Sequence, residues 1–166
     1  MVSISSLPIR GYNEVYVPNT FFRQHEEAEY GAIVLPGLGY TAHMPLIFYA
    51  VELMASLKAD VLTVDYDYNQ RDFMALNEKE RVRRVFADVQ PSYHALLGQR
   101  PYGKLVFMGK SLGTLAMGHI LTGEAVPAPA HAVWLTPILR NATLRDQIKK
   151  YVGRSLFISG TADPHY

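Results

Sequence analysis

The segment KLVFMGKSLGTLAM, residues 104–117, joins a short apolar run to a glycine-containing turn and a second apolar run. Two overlapping motifs in it carry different chemistry. Gly109-Lys110-Ser111 matches the end of a phosphate-binding P-loop, whereas Gly109, Ser111 and Gly113 form the Gly-x-Ser-x-Gly pattern of a nucleophilic serine. Both motifs belong between a strand and a helix, so the neighbouring residues have to distinguish them.

The spacing of the glycines argues against the P-loop. A P-loop needs a glycine five positions before its Gly-Lys-Ser, because the backbone N–H groups between the two glycines wrap the phosphates. Lys104 occupies that position, and residues 105–108 are Leu-Val-Phe-Met, which is typical of a buried strand. The segment therefore favours a strand, a tight turn and a helix over a phosphate-binding loop.

A serine presented on such a turn, a nucleophile elbow, needs small residues two positions away on each side because the backbone is strained. Gly109 and Gly113 supply them. The alternative is that the glycines merely pack a tight turn and that Ser111 is an ordinary helix cap. The motif alone does not separate these two interpretations.

Two other segments favour the elbow. In VLPGLGYTAH, residues 34–43, a strand ends in a glycine-containing loop that can point backbone N–H groups at a developing oxyanion. In LFISGTADP, residues 156–164, Asp163 directly follows the last predicted strand. A carboxylate at the end of a strand after the elbow is what a catalytic triad uses to orient its histidine.

The order of the predicted elements indicates a single α/β domain over residues 1–166. Two short strands within residues 3–9 and 14–22 form an N-terminal hairpin, and five buried strands then alternate with helices. This pattern predicts a mostly parallel twisted sheet with helices on both faces. Asn77 and Glu80 predict a capping box for a helix that Pro91 should kink or divide, and Thr143 is the predicted cap of a later helix.

Composition excludes several classes of site. The formal net charge of +1, without a long run of either sign, argues against nucleic-acid binding, and the absence of cysteine excludes disulfides and thiolate chemistry. No apolar run approaches the roughly 20 residues that span a bilayer, so we expect no membrane segment and, by default, a cytoplasmic location. The sequence does not determine the oligomeric state.

The order of the PGLG loop, the GKSLG turn and the SGTADP loop resembles the α/β-hydrolase superfamily, in particular its small members without a cap domain. The resemblance runs from about Glu14 to the end of the sequence. It implies that Ser111 is the nucleophile, that Asp163 is the triad acid, and that the N–H groups of Leu38 and Leu112 form the oxyanion hole. Gly39 or Tyr40 could replace Leu38 in that role. The resemblance implies no metal or organic cofactor and gives Lys110 no catalytic role.

The catalytic histidine departs from this pattern. In the α/β-hydrolase fold the order is serine, acid, histidine, and only His165 follows Asp163. It lies two residues away in the same turn, whereas the acid and the imidazole normally stand on separate loops. We therefore expect the gene to encode about 25–40 further residues, forming a helix, a strand and a loop with the histidine.

The sequence thus predicts a serine hydrolase of an ester or thioester, which acts on a small soluble acyl substrate through an acyl-enzyme on Ser111. Only a few residues, LRNAT, link two elements where cap domains are usually inserted, so we expect an open site with Tyr40 and Tyr68 as candidate substrate contacts. Arg71 is interpreted as a solvated loop residue. Two alternatives stay open, namely a degenerate hydrolase that serves as a binding module and a lyase that uses the same site geometry.

Overall fold

The computed structural model describes residues 1–66, 68–123 and 125–163, and in these residues seven strands form one sheet. The strands are β1 (Val2–Ser5), β2 (Asn19–Gln24), β3 (Tyr30–Leu35), β4 (Asp60–Val64), β5 (Lys104–Lys110), β6 (Ala130–Leu135) and β7 (Arg154–Ile158). The α-helices are α1 (Pro45–Ser56), α2 (Arg71–Ala75), α3 (Glu78–Leu97), α4 (Leu112–Gly123) and α5 (Ala142–Lys150).

The sheet has the strand order β1-β2-β4-β3-β5-β6-β7. The strands from β3 to β7 are parallel to one another, whereas β1 pairs with β2, and β2 with β4, in antiparallel fashion. The predicted α/β class, the mostly parallel sheet and the N-terminal antiparallel pair are confirmed. The pair is not a tight hairpin, because residues 6–18 leave the sheet and return through a 3₁₀ turn at Tyr12–Glu14.

The chain changes direction across the sheet at β3. From β3 it first moves to β4 on one side and then, through α3, to β5 on the other side. The carboxyl ends of β3 and β5 therefore lie side by side at a topological switch point, where the loops diverge and leave a crevice. Ser111 follows β5 and the PGLG segment follows β3, so the topology brings both predicted segments to this point.

Each face of the sheet is covered by its own hydrophobic core. Along β5 the side chains alternate, so that Leu105 and Phe107 pack on the side of α3 and α4, while Val106 and Met108 pack on the side of α1. This two-sided burial explains why the parallel strands are continuously apolar in sequence.

Two local predictions for the helices were wrong. Helix α3 runs unbroken through Pro91, because its buried face, which includes Val89 and Tyr93, offsets the loss of one backbone hydrogen bond. The cap of α5 is Asn141, whose side chain accepts a hydrogen bond from the Leu144 N–H, rather than Thr143. The capping box of Asn77 and Glu80 is confirmed, with both reciprocal hydrogen bonds present.

Candidate active site

Ser111 stands at the turn between β5 and α4 with a left-handed backbone conformation, φ +47°. Its N–H donates to the Leu135 carbonyl at the end of β6 (2.9 Å), and its own carbonyl accepts from the N–H of Thr114 (2.9 Å). A non-glycine residue at positive φ is strained, and such strain persists only where the surroundings enforce it. The strained turn that the motif predicts is present.

The backbone angle also separates the elbow from an ordinary helix cap. An N-cap residue has an extended backbone, so that its side-chain oxygen can accept from the N–H groups of the first turn. Asn77 and Asn141 show that conformation, with ψ values of 167° and 115° at negative φ. Ser111 does not share it, although it directly precedes α4. The helix-cap interpretation therefore does not describe this turn.

The two glycines of the motif allow the turn to close. A Cβ atom at Gly113 would lie 2.1 Å from the Leu35 carbonyl oxygen, and one at Gly109 would lie 3.0 Å from the Gly113 carbonyl oxygen. The first turn of α4 thus packs directly against the carboxyl end of β3. This contact holds the Ser111 turn beside the loop that follows β3.

That loop begins with a tight turn from Gly37 to Tyr40, closed by a hydrogen bond from the Tyr40 N–H to the Gly37 carbonyl (3.2 Å). Gly39 has φ +63°, as the third position of a type II turn requires. A Cβ atom at Gly37 would lie 3.2 Å from the Ser111 Cβ. The structure therefore brings the glycine loop and Ser111 together, with Leu38 exposed on the turn and Leu112 half-buried at the start of α4.

Residues from the next strand support this loop. The Tyr66 hydroxyl, just after β4, donates to the Pro36 carbonyl (2.6 Å), and a Cβ atom at Gly39 would lie 3.2 Å from the Asn69 side chain. Burial raises the pKa of Tyr66 far above its usual range, so the hydroxyl stays a donor. The sequence alone does not identify this support, although the position of Tyr66 directly after a buried strand is a usable signal.

Tyr68 has a different position from the one expected of a substrate contact. Its side chain is 3% exposed and its ring stacks between those of Tyr66 and Phe73, with centroids 4.2 and 4.3 Å away. Its hydroxyl donates to the Asp88 carboxylate (2.7 Å). Because both its ring and its hydroxyl are engaged in the core, we leave Tyr68 out of the proposed site. Tyr40 is half-buried on the glycine loop and remains in it.

Asp163 follows β7, and its N–H donates to the Gly160 carbonyl (3.1 Å). The strand order places this loop two strands away from β5, at whose end Ser111 stands. Lys110, to which the resemblance gives no catalytic role, is half-buried at the end of β5, with its Nζ 4.2 Å from the ring centroid of Tyr40.

Five of the six histidines fall in the described residues, and His165 lies outside them. His119 stacks on Phe86 with ring centroids 4.2 Å apart, as expected of a packing residue. His131 is near the amino end of β6, remote from the carboxyl ends where Ser111 stands. His43 is exposed in the loop before α1. The position of the catalytic histidine stays a prediction.

The opposite end of the sheet carries a cavity of about 1050 Å³, lined by residues before β3 and β5 such as Glu29 and Gly103. Arg100, which also lines this cavity, forms an ion pair with the buried Asp60 at the start of β4 (3.0 Å). Parallel sheets bind ligands at their carboxyl ends, so we assign this cavity no catalytic role.

In the described part of the chain, no three metal-ligating side chains cluster, and no helix is long and apolar enough to cross a membrane.

No protein-family model and no curated protein matches the chain. Several solved structures, in contrast, are similar to it. The chain is similar to the Pyrococcus furiosus esterase Pf2001, at 15% identity and a TM-score of 0.66, over 83% of this chain and 52% of that one. It is also similar to an alpha-beta serine hydrolase homologue from Coxiella burnetii, at 10% identity and a TM-score of 0.67, over 95% and 72%.

A third similar structure is XC6422 from Xanthomonas campestris, a serine hydrolase without a lid, with 13% identity, a TM-score of 0.62, and 93% and 82% of the two chains covered. The chain spans about half the length of the Pyrococcus esterase. These likenesses agree with the mostly parallel sheet described above. The chain has the α/β-hydrolase fold.

Proposed function

We propose that this chain carries the nucleophile of a serine hydrolase that acts on an ester or thioester of a small soluble acyl compound. The left-handed backbone of Ser111 at the end of β5 is the observation on which the proposal chiefly depends. An α/β fold does not by itself imply catalysis, but a strained serine at the switch point, beside a glycine loop, is the geometry of acyl transfer. The names of the similar structures, which include an esterase and a serine hydrolase, support the same reaction class.

In the proposed reaction the Ser111 Oγ forms a bond to the acyl carbon while the alcohol or thiol leaves with a proton. Water then adds to the acyl-enzyme, releases the carboxylic acid and restores the serine hydroxyl. The N–H groups of Leu112 and of Leu38, Gly39 or Tyr40 are the proposed donors to the oxyanion, since the first turn of α4 and the glycine loop adjoin Ser111. Asp163 is the proposed acid, which would orient a histidine that remains to be located.

The open site is the basis for a small substrate. Strand β6 is followed by α5 after only residues 136–141, so no inserted cap covers the carboxyl end at this connection. Leu38 is 41% exposed on the glycine loop, and Tyr40 is half-buried beside it. A short acyl chain can contact these two side chains without a lid.

Labelling with a fluorophosphonate probe tests the nucleophile, because the probe reacts with activated serines. We expect labelling of the wild-type protein at Ser111 by peptide mass spectrometry, and none of Ser111→Ala. Turnover of p-nitrophenyl acetate and butyrate should be lost in the same variant while its circular dichroism spectrum is unchanged. A wild-type protein that is neither labelled nor active would indicate a binding module, and labelling without ester turnover would favour a lyase.

A further inference from the structure

A cavity of about 280 Å³ lies between the first turns of α3 and α4 and the connection from β6 to α5. All three segments contribute to its apolar lining, which consists of Val82, Leu112, Leu115 and Ile138. Sites for small ligands typically enclose about 300–1,000 Å³ and combine an apolar lining with a few polar groups. The cavity lies at the lower end of that range, so it suits a short and largely apolar group.

The cavity adjoins the turn that presents Ser111. Leu112, which lines it, is the next residue of the chain. A second wall is tied to the same turn through Thr114, whose hydroxyl donates to the Ser111 carbonyl and accepts from the Ile138 N–H (3.5 Å). The cavity is therefore held beside the proposed nucleophile.

Two arginines line the cavity, Arg81 of α3 and Arg140 of the connection to α5. Arg81 is anchored through Nη2, which donates to the Met74 carbonyl, while its buried Nε has no hydrogen-bond acceptor among the described residues. Arg140 is exposed, and no described residue forms a hydrogen bond or an ion pair with its guanidinium. Glu78 is the one carboxylate in the lining, so the lining carries a net charge of +1 (2 − 1).

The backbone around Arg140 is fixed at the rim of the cavity. Nη1 of Arg145 donates to the carbonyls of Leu139 (2.7 Å) and Arg140 (3.2 Å), and Asn141 caps α5. The amino ends of α3, α4 and α5 all border the cavity, and helix amino ends carry partial positive charge. The unpaired guanidinium and the three helix ends together favour an anionic ligand.

We propose that this cavity binds the acyl group of the substrate and that Arg140 binds a carboxylate at the far end of that group. The substrate class is then an ester or thioester of a short dicarboxylic acid, with one carboxyl group esterified and the other free. A planar guanidinium binds a carboxylate through two parallel hydrogen bonds, and the apolar lining contacts the methylene groups between the two carboxyl carbons. This inference rests on the proposed function, since it takes Ser111 as the nucleophile that accepts the acyl group.

The kinetic experiment compares p-nitrophenyl hexanoate with the mono-p-nitrophenyl ester of adipic acid, because their acyl groups have the same number of carbon atoms and differ in a terminal carboxylate. We expect the wild-type protein to prefer the adipate ester, and Arg140→Gln to lower the adipate-to-hexanoate ratio of kcat/KM about tenfold. Arg83→Gln is the matched control and should keep the wild-type ratio, since Arg83 is exposed on the same helix as Arg81 but does not line the cavity. The same ratio in both variants would overturn the inference.

A second measurement does not depend on activity. Adipate titrated into the Ser111→Ala protein should shift the backbone amide signals of Leu112 and Ile138 in NMR spectra, with a lower dissociation constant than hexanoate. The further change Arg140→Gln should raise the dissociation constant of adipate about tenfold, whereas Arg83→Gln in the same background should leave it unchanged. Adipate that binds no more tightly than hexanoate, or that shifts only signals remote from the cavity, overturns the inference.

Failure of the inference and failure of the proposed function give different results. If Ser111 is labelled and both esters are hydrolysed without a preference that depends on Arg140, only the substrate class is wrong. If Ser111 is not labelled and neither ester is hydrolysed, the proposed function is wrong, and the role of the cavity as an acyl site falls with it even where adipate binds.

Discussion

Gly37 and Ser111 stand so close together that a Cβ atom on Gly37 would lie 3.2 Å from that of Ser111, although 74 positions separate them in the chain (111 − 37). The contact joins the loop after β3 to the turn after β5, the two strands that flank the switch point. The contact adds support to the proposed serine hydrolase function, because a nucleophile and its oxyanion donors have to adjoin each other.

Replacing Ser111 by glycine should stabilise the protein while it abolishes ester turnover. Glycine populates φ of about +47° without the steric penalty that a Cβ atom brings, although it also gains conformational entropy in the unfolded chain. We expect a net gain of about 0.5–1 kcal/mol in the free energy of unfolding, measured by urea denaturation. Ser111→Ala keeps the Cβ atom and should remain close to the wild type. A glycine variant less stable than the alanine variant would contradict the strained turn.

Substitutions at Gly113 should prevent the elbow from closing. The first added atom would lie 2.1 Å from the Leu35 carbonyl oxygen, which cannot move without breaking β3. We expect Gly113→Ala to lower the free energy of unfolding by at least about 1–3 kcal/mol, and Gly113→Val to lose activity or soluble protein. Gly123→Ala in the same helix is the control, because its nearest neighbour is the His119 Cε1 at 4.0 Å. A stable, active Gly113→Val protein would revive the helix-cap interpretation.

Asp65 should destabilise the folded protein increasingly as the pH rises. Burial raises its pKa, although Thr20 donates to its Oδ2 at 2.7 Å. An acid whose pKa is higher in the folded chain than in the unfolded chain is relatively more stable when protonated, so its ionisation costs stability. We expect the advantage of Asp65→Asn over the wild type in melting temperature to be larger at pH 7 than at pH 4.

Asp72 provides the control of opposite sign. A hydrogen bond from Arg84 at 2.7 Å lowers the pKa of Asp72, so its ionised form is the one favoured by folding. Asp72→Asn should therefore be less stable than the wild type at pH 7, and the difference should vanish as the pH falls below the pKa of Asp72. If the stability difference between variant and wild type changed with pH in the same direction for both variants, burial would not be what sets the pKa of Asp65.

The exposed strand β7 should make the 166-residue chain self-associate. Among the described residues β7 is an edge strand of the sheet and Leu156 on it is 55% exposed, and an exposed apolar edge offers a template for another strand. We expect Leu156→Lys to shift the protein toward monomer in light scattering after size exclusion. Leu53→Lys, at a 60% exposed position on α1, should leave the association unchanged. Equal association in both variants would exclude the β7 edge.

The sequence by itself determined the α/β class and the parallel strands, and it limited the turn at Ser111 to an elbow or a helix cap, with two other segments in favour of the elbow. These depend on local patterns, since apolar runs, capping residues and the spacing of Gly109 and Gly113 around Ser111 act within a few positions of one another. Only tertiary structure decided that Tyr68 is buried against Asp88, that α3 continues through Pro91, and that Gly37 lies against Ser111. In each case the deciding contact joins residues far apart in the chain, and its free energy outweighs the local preference that the sequence displays.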